Sequence, residues 1–299
     1  MMLLLNEAIA LALYLAPTGA ILGMVKVARR RYQRRDRRNP LKRELLRAPG
    51  HSVALQLEDH RSDLIALMSA TAPMPLFLYT VYRTPAGWAP GAVLGLIFLL
   101  GGTVVLAWRV SVLVRETRKL QLGLDAEMAM GQELNTLMRE GFWVFHDVQA
   151  DGPFNVDHVI VGPQGLFAVE TKGRPKGVRG SDDGYRVVLR DEVLEFPGWR
   201  ERKPLEQARR NAKWLGDWLS SAIGERVEAQ PVLALPGWFI ERTTNCDVGT
   251  INGTGLAGYF TKRRATPLSV KQVEQIRHQL DARCRDVKAL AYAEAKGRK

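Results

Sequence analysis

The first part of the chain contains three long apolar stretches that are nearly free of charged side chains. They are Met2–Ala28, Leu64–Tyr82 and Gly91–Trp108. Each is about as long as a helix needs to be to cross the roughly 30 Å hydrocarbon layer of a membrane. The pattern predicts a transmembrane module over residues 1–115 with three helices. A soluble helical hairpin over residues 64–108 is the alternative interpretation.

From Gly123 onward the pattern changes to that of a folded α/β domain, which we assign to residues 116–299. Apolar residues at helical spacing predict a helix that ends at Gly141. Alternating and apolar runs then predict strands, namely Phe142–Val148, Asn155–Val161, Leu166–Lys172, Tyr185–Arg190, Val193–Phe196 and Pro231–Leu235. Two further helices are predicted, one carrying Leu205 to Leu219 and one over Leu268–Cys284.

The second and third of these strands are joined by the turn at residues 162–165, which predicts a hairpin. If Val161 lies opposite Leu166, then Asp157 falls opposite Glu170 and Asn155 opposite Lys172. Because side chains alternate along a strand, Asp157, Glu170 and Lys172 share one face. The other face holds mostly core residues, which are Val156, His158, Ile160, Phe167, Val169 and Thr171. His158 is therefore expected to be a hydrogen-bonded core histidine rather than a metal ligand.

The net charge of +12 is concentrated in one short segment. Residues 26–47 contain eleven Lys or Arg residues and only two acidic residues. A basic cluster beside an apolar helix is more typical of a cytoplasmic loop that contacts anionic lipids than of a DNA site. This positive-inside pattern predicts an N-terminus outside the cytoplasm and a C-terminal domain within it. We expect a multi-pass protein of the bacterial inner membrane.

The two cysteines, Cys246 and Cys284, are far apart and belong to no CxxC motif. This excludes a zinc ribbon and argues against a disulfide scaffold.

Two carboxylates facing each other across a hairpin repel, so folding alone gives little reason to place them there. A divalent cation between Asp157 and Glu170 removes the conflict, and Mg²⁺ prefers carboxylate, water and phosphate oxygens. Such an ion activates water and stabilises charge at phosphorus, while a nearby lysine adds positive charge. The set Asp157, Glu170 and Lys172 therefore suits hydrolysis of a phosphate ester. A surface salt bridge of Lys172 with either acid is the alternative.

A third acidic residue, Glu127, precedes Met130 and Leu134 by three and seven positions, so it faces the buried side of its helix. A buried carboxylate needs a partner, and a metal site is one candidate. A first-turn acid at a helix end is the other.

Four segments in this order resemble the nuclease-related domain (NERD) family, which is itself similar to the PD-(D/E)XK nuclease superfamily. They are GLDAE at 123–127, VDHVIVG at 156–162, GLFAVETK at 165–172 and PLEQA at 204–208. The resemblance covers residues 123–235. It implies a restriction-endonuclease-like α/β fold, in which a mixed sheet is flanked by helices and follows the α-helical transmembrane module.

The resemblance also implies a set of site residues. Asp157, Glu170 and Glu127 would bind Mg²⁺ or Mn²⁺, and Lys172 and Gln207 would complete the catalytic set. One departure from the family pattern is Ala126, where a glycine is usual, and it bears on the packing of the first helix.

Two classes of function are consistent with these residues. The first is a membrane-anchored, Mg²⁺-dependent endonuclease that acts on DNA, and the intact set of Asp157, Glu170 and Lys172 favours it. The second is a catalytically silent module that binds nucleic acid or a partner protein. In a third hypothesis the protein is a lipid-facing scaffold, and its functional segment is the basic loop. RNA as a substrate and assembly into a homo-oligomer both remain open at this stage.

Overall fold

The structure is a computed structural model, and it describes residues 23–24, 26–27, 43–71, 89–176, 184–262 and 265–288, without the side chains of residues 68, 70, 71, 89–96, 98 and 99. The chain divides into two compact units. One is formed by Met1–Arg43, His60–Arg115 and Ala289–Lys299, and the other by Glu44–Asp59 and Glu116–Lys288. The second unit contains all the strands of the described ranges and the candidate site.

The helices include two long ones before the sheet and three after its first strands. They are α1 (His51–Thr71), α2 (Ala89–Asn135), α3 (Lys203–Ile223), α4 (Leu256–Lys262) and α5 (Val270–Cys284), with a 3₁₀ turn at Thr136–Glu140. Helix α2 continues through the position where the sequence predicted a new helix at Gly123. The predicted end at Gly141 is confirmed, because Gly141 caps the turn at φ 85°, a conformation that glycine adopts without strain.

The central sheet has five strands in the order β10-β8-β4-β3-β2. They are β2 (Trp143–Gln149), β3 (Asn155–Gly162), β4 (Gly165–Thr171), β8 (Ala229–Ala234) and β10 (Gly249–Ile251). Strands β2, β3 and β4 are antiparallel neighbours, whereas β8 runs parallel to both β4 and β10. The prediction of a mixed sheet flanked by helices is therefore confirmed.

The predicted hairpin register is confirmed, with Val161 opposite Leu166 and His158 opposite Val169. The ladder ends at this pair, so the two predicted pairings beyond it, Asp157 with Glu170 and Asn155 with Lys172, are not part of it. Strand β2 is irregular at the same level, because Asp147 adopts φ 51°. The predicted face of Val156 is wrong for this reason, since Val156 packs with Phe145 and Val159 on the opposite side of the sheet.

Apolar side chains cover both faces of the sheet. On one face, Met130 and Leu134 of α2 and Phe260 of α4 pack on Ile160 and Phe167. On the other face, residues of α3 and α5 pack on the sheet, among them Leu215, Leu219, Ile276 and Leu280. Helix α5 begins at a capping box formed by Ser269 and Gln272, which gives it a defined start.

A second sheet has the order β7-β6-β5-β9. Its strands are β5 (Arg186–Arg190), β6 (Val193–Phe196), β7 (Trp199–Glu201) and β9 (Phe239–Arg242). The sequence predicted β5 and β6 but neither β7 nor β9. Trp238, which is 1% exposed, packs with Leu194 and Leu205 between this sheet and α3.

A short strand pair joins the first and last segments of the second unit. Strand β1 (Leu45–Leu46) lies antiparallel to β11 (Arg285–Val287). The amide of Arg47 also donates a hydrogen bond of 2.9 Å to the carbonyl of Cys284. The segment before α1 is thereby fixed to the end of α5.

The predicted membrane spans receive no support from the described helices. Among the described residues, we find no helix that is both long and apolar enough to cross a membrane. Most of Met2–Ala28 and half of Leu64–Tyr82 lie outside the described residues, as does most of the basic segment 26–47. The third predicted span, Gly91–Trp108, lies within α2.

Candidate functional site

The end of the β3–β4 hairpin holds the acid pair and the lysine predicted from the sequence. Glu170 is 1% exposed, and the ammonium of Lys172 lies 2.6 Å from its Oε1. Asp157 is also buried, and its Oδ2 accepts a hydrogen bond of 2.7 Å from the amide of Thr171. The lysine therefore pairs with an acid that is buried rather than exposed on the surface.

Glu127 is brought to this place by a close approach of α2 to the end of β4. A Cβ added at Gly173 would lie 2.5 Å from the carbonyl oxygen of Leu122 and 3.1 Å from the Cβ of Ala126. Only small residues fit at 126 and 173 with this spacing, so the alanine at 126 is accommodated. Glu127 is 7% exposed, and its buried Oε2 has no hydrogen-bond partner among the described residues.

The pKa values of all three carboxyl groups are raised, in each case mainly by burial. Burial raises the pKa of Glu127 to about 8, and the charges of Asp147 and Glu170 act in the same direction. Burial also raises the pKa of Asp157, together with the charges of Glu170 and Glu127. Burial raises the pKa of Glu170 too, although Lys172 opposes that effect. Lys172 opposes the pKa shift in all three groups and Arg210 opposes it in Glu170, so two positive charges face three buried acids.

The residues present fit a hard divalent cation. Mg²⁺ binds through one or two carboxylates and keeps several waters, so it does not require three acids in direct contact. This matters because the ligand atoms of Glu127, Asp157 and Glu170 are not gathered within 4.8 Å of one another in the described structure. The unpartnered Oε2 of Glu127 and the charge deficit are the features that a cation with its bound waters would satisfy.

Helix α3 contributes a residue that the sequence analysis missed. The side-chain amide of Asn211 donates a hydrogen bond of 2.7 Å to Oε2 of Glu170 and one of 3.3 Å to the carbonyl of Asn155. Asn211 is 1% exposed, and its Oδ1 has no partner among the described residues. A polar residue on the apolar side of a helix, between Ala208 and Ala212, was the available signal.

Gln207, the predicted member of the set on this helix, lies one turn before Asn211 and is half-buried. Its amide makes no side-chain hydrogen bond with the part of the chain that the structure describes. The structure therefore brings together Glu127, Asp157, Glu170 and Lys172, whereas Gln207 forms no side-chain hydrogen bond with these residues.

Asp147 is a second residue that the sequence did not indicate. It is fully buried at the irregular point of β2, and its charge acts on Glu127. Its Oδ2 accepts hydrogen bonds from the backbone amide and the hydroxyl of Ser52, at 3.1 and 2.7 Å, and pairs with Arg47 at 3.0 Å. Asn155 donates a further hydrogen bond to its Oδ1. Residues near 50, far upstream in the sequence, thus form one wall of the site.

The reverse face of the hairpin carries a buried chain of hydrogen bonds. The Nδ1 atoms of His146 and His158 lie 2.9 Å apart, and Nε2 of His158 lies 3.1 Å from the hydroxyl of Thr171. Asn135 is the second partner of His146, at 3.0 Å. Burial lowers the pKa of both histidines, that of His146 to about 4. The prediction that His158 is a hydrogen-bonded core residue is confirmed.

A different group of ligand atoms, formed by Glu192, Cys246 and Asp247, is compact enough to suggest a metal site. The guanidinium of Arg209 already supplies the positive charge there. Its Nη2 lies 2.6 Å from Asp247 and 2.7 Å from Glu192. We therefore interpret this group as an exposed ion-pair cluster.

The fold and the site define an α/β domain with a buried acidic centre at the end of a hairpin. Residues 122–236 match the family model of the nuclease-related domain, NERD. All five residues predicted for the site lie within the matched segment. The match supports the resemblance read from four short motifs, over this segment of the chain. Neither the search of curated proteins nor that of solved structures found a match.

Proposed function

We propose that residues 116–299 form a metal-dependent endonuclease of the PD-(D/E)XK type that hydrolyses phosphodiester bonds in DNA. The observation that carries this proposal is the group of buried acids with raised pKa values beside Lys172, within a nuclease-related domain. A group of this kind is costly for folding alone, because buried charges without compensation destabilise a protein. Such clusters are typical of functional sites.

Each residue has a definite part in this proposal. Asp157 and Glu170 would bind Mg²⁺ or Mn²⁺, and Glu127 would bind it directly or through water. When bound, the ion supplies a polarised water and a positive charge at the phosphate. Lys172, held at Glu170, places an ammonium where negative charge develops on the phosphate oxygens. Gln207 is proposed, from the family resemblance, to contact the substrate or the attacking water.

The proposal is tested with the purified full-length protein on plasmid DNA, linear DNA and RNA, with Mg²⁺, Mn²⁺ or a chelator. We expect cleavage of DNA that needs the metal. Asp157→Asn and Lys172→Met should each lower the rate by about 100-fold or more, since each removes a charge that acts on the reacting phosphate. Glu274→Gln is the matched control, because Glu274 is exposed on α5 and its ion-pair partner among the described residues is Arg277.

Two results would contradict the proposal. If the unaltered protein and the Asp157→Asn variant are equally inert but both bind DNA, the domain is a silent binding module. If deletion of residues 29–38 removes the cellular function while the Asp157→Asn variant keeps it, the basic segment is the working part.

We also propose that the chain is anchored in the bacterial inner membrane, with the nuclease domain in the cytoplasm and anionic lipids at the basic segment. The support is the absence of Asp, Glu, Lys and Arg from residues 91–108. Large apolar side chains there are also exposed, with Ile97 59%, Val104 68% and Val105 58% exposed. Carbonate-washed membranes should retain the protein, and recovery of the washed protein in the soluble fraction would contradict the anchor.

A further inference from the structure

Arg210 of α3 is an exposed cation close to the acid group, and no carboxylate within the described ranges pairs with it. Its neighbours differ in this respect. Arg209 pairs with Glu192 and Asp247, and Arg174 pairs with Glu201. The guanidinium of Arg210 is thus available for an anion that is not part of the described chain.

The position of Arg210 relative to the site is fixed by its helix. Arg210 directly precedes Asn211, whose amide lies 2.7 Å from Oε2 of Glu170. The charge of Arg210 reaches the same carboxyl group and helps to lower its pKa. Arg210 also follows Gln207 by three residues, so both lie on neighbouring positions of one helix face. An anion held by Arg210 would therefore sit beside the acids.

The ring of Phe154 holds the guanidinium in place. The Cζ atom of Arg210 lies 5.8 Å from the centroid of that ring, within the range of a cation–π contact. Phe154 is itself held by an edge-to-face contact with Trp214, at 5.8 Å between ring centroids. A guanidinium fixed in this way loses less conformational freedom on binding than a free surface side chain.

We propose that Arg210 binds a backbone phosphate of the nucleic-acid strand next to the bond that is cleaved, with Phe154 as the residue that positions it. The inference rests on the proposed nuclease function. Arginine suits this task because its planar fork of N–H donors matches two phosphate oxygens at once. In this arrangement Arg210 neutralises the neighbouring phosphate, while Lys172 and the acid group act on the phosphate whose bond is cleaved.

Binding is measured separately from cleavage, so that the two proposals can fail separately. The Asp157→Asn variant of the full chain is titrated against labelled DNA oligonucleotides at several salt concentrations, without a divalent metal. Adding Arg210→Ala should weaken binding by about 5- to 20-fold and reduce the salt slope by about one, as expected for one lost phosphate contact. Phe154→Leu should weaken binding by about 2- to 5-fold, because the ring contact is lost.

Arg226→Ala is the matched control. Arg226 is exposed, pairs with Glu228 and precedes β8, whereas the acids lie at the opposite end of the parallel strand β4. It should change affinity by less than about twofold. Equal affinity and equal salt slope for Arg210→Ala and its parent would overturn the inference, even if the unaltered protein cleaves DNA. If binding depends on Arg210 but the unaltered protein never cleaves, the phosphate contact stands and the nuclease proposal fails.

Discussion

Among single residues, Glu127 has the most informative titration. Its folded-state pKa of about 8 lies above the usual 4.5, so the folded protein binds more protons than the unfolded chain between these values. The contribution of Glu127 therefore makes the domain less stable as the pH rises through this window. A bound cation would reverse the effect, because it favours the ionised carboxylate.

Glu127→Gln removes this penalty. At pH 9 in the presence of a chelator, we expect the unfolding free energy of the variant to be about 2–4 kcal/mol higher than that of the unaltered protein. At pH 5 the two should differ by less than about 1 kcal/mol, because both side chains are then uncharged in the folded state and the pH is close to the pKa of glutamate in the unfolded chain. Denaturant titrations at the two pH values measure this, and a variant that is less stable at pH 9 would contradict the assignment. Saturating Mg²⁺ should stabilise the unaltered protein more than the variant.

Residue patterns on the hairpin were sufficient to predict that Asp157, Glu170 and Lys172 lie near one another at its end. Their roles in metal binding and catalysis stay a prediction. Asn211 and Asp147 were not assigned roles. Their roles depend on how α3 and the segment near residue 50 pack on the sheet, and no local spacing encodes that packing.

The contact between α2 and the end of β4 is what brings the acids together from separate elements. Its tightness is set by Gly173 and Ala126. The sequence predicted the helix and the strand, but not that α2 would be continuous from Ala89 to Asn135. A helix pattern alone does not show whether a preceding apolar stretch joins the same helix.

Gly173→Ala should disturb this contact, because the added Cβ would meet a backbone oxygen at 2.5 Å. We expect a loss of about 1–3 kcal/mol in unfolding free energy and a fall in metal-dependent cleavage. Gly123→Ala is the control within the same helix, since nothing lies within 4 Å of its added Cβ. It should stabilise the helix by about 0.5–1 kcal/mol. Equal effects of the two substitutions in thermal unfolding would count against the close packing.

In the second unit as a whole, Arg47 joins three distant parts of the chain. Its side chain is 10% exposed and lies 3.0 Å from Asp147 and 2.6 Å from Asp286. It also donates a hydrogen bond of 2.8 Å to Gln149. Arg47 thus connects the segment before α1, strand β2 and strand β11.

Arg47→Met would leave the fully buried Asp147 without its ionic partner. We expect the unfolding free energy to fall by about 3–5 kcal/mol, the usual cost of breaking a buried pair. Lys271→Met should cost less than about 1 kcal/mol, because Lys271 and Glu225 form an exposed pair. Denaturant titration of both variants at pH 7 measures the difference, and a similar small loss for both would show that Arg47 is not structural.

The second unit is assembled from two separate pieces of chain, Glu44–Asp59 and Glu116–Lys288, so the polypeptide leaves it and later returns. The two pieces are held together by non-covalent contacts, so a continuous peptide chain between them is not needed for the unit to assemble. If the backbone were cut between the pieces, β1 could still pair with β11, and Arg47 could still form its ion pair with Asp147 on the longer piece. Two co-expressed fragments should then reconstitute the domain. A fragment trimmed to the matched segment 122–236 would lack Arg47 and the pairing of β1 with β11, and we expect it to be unstable.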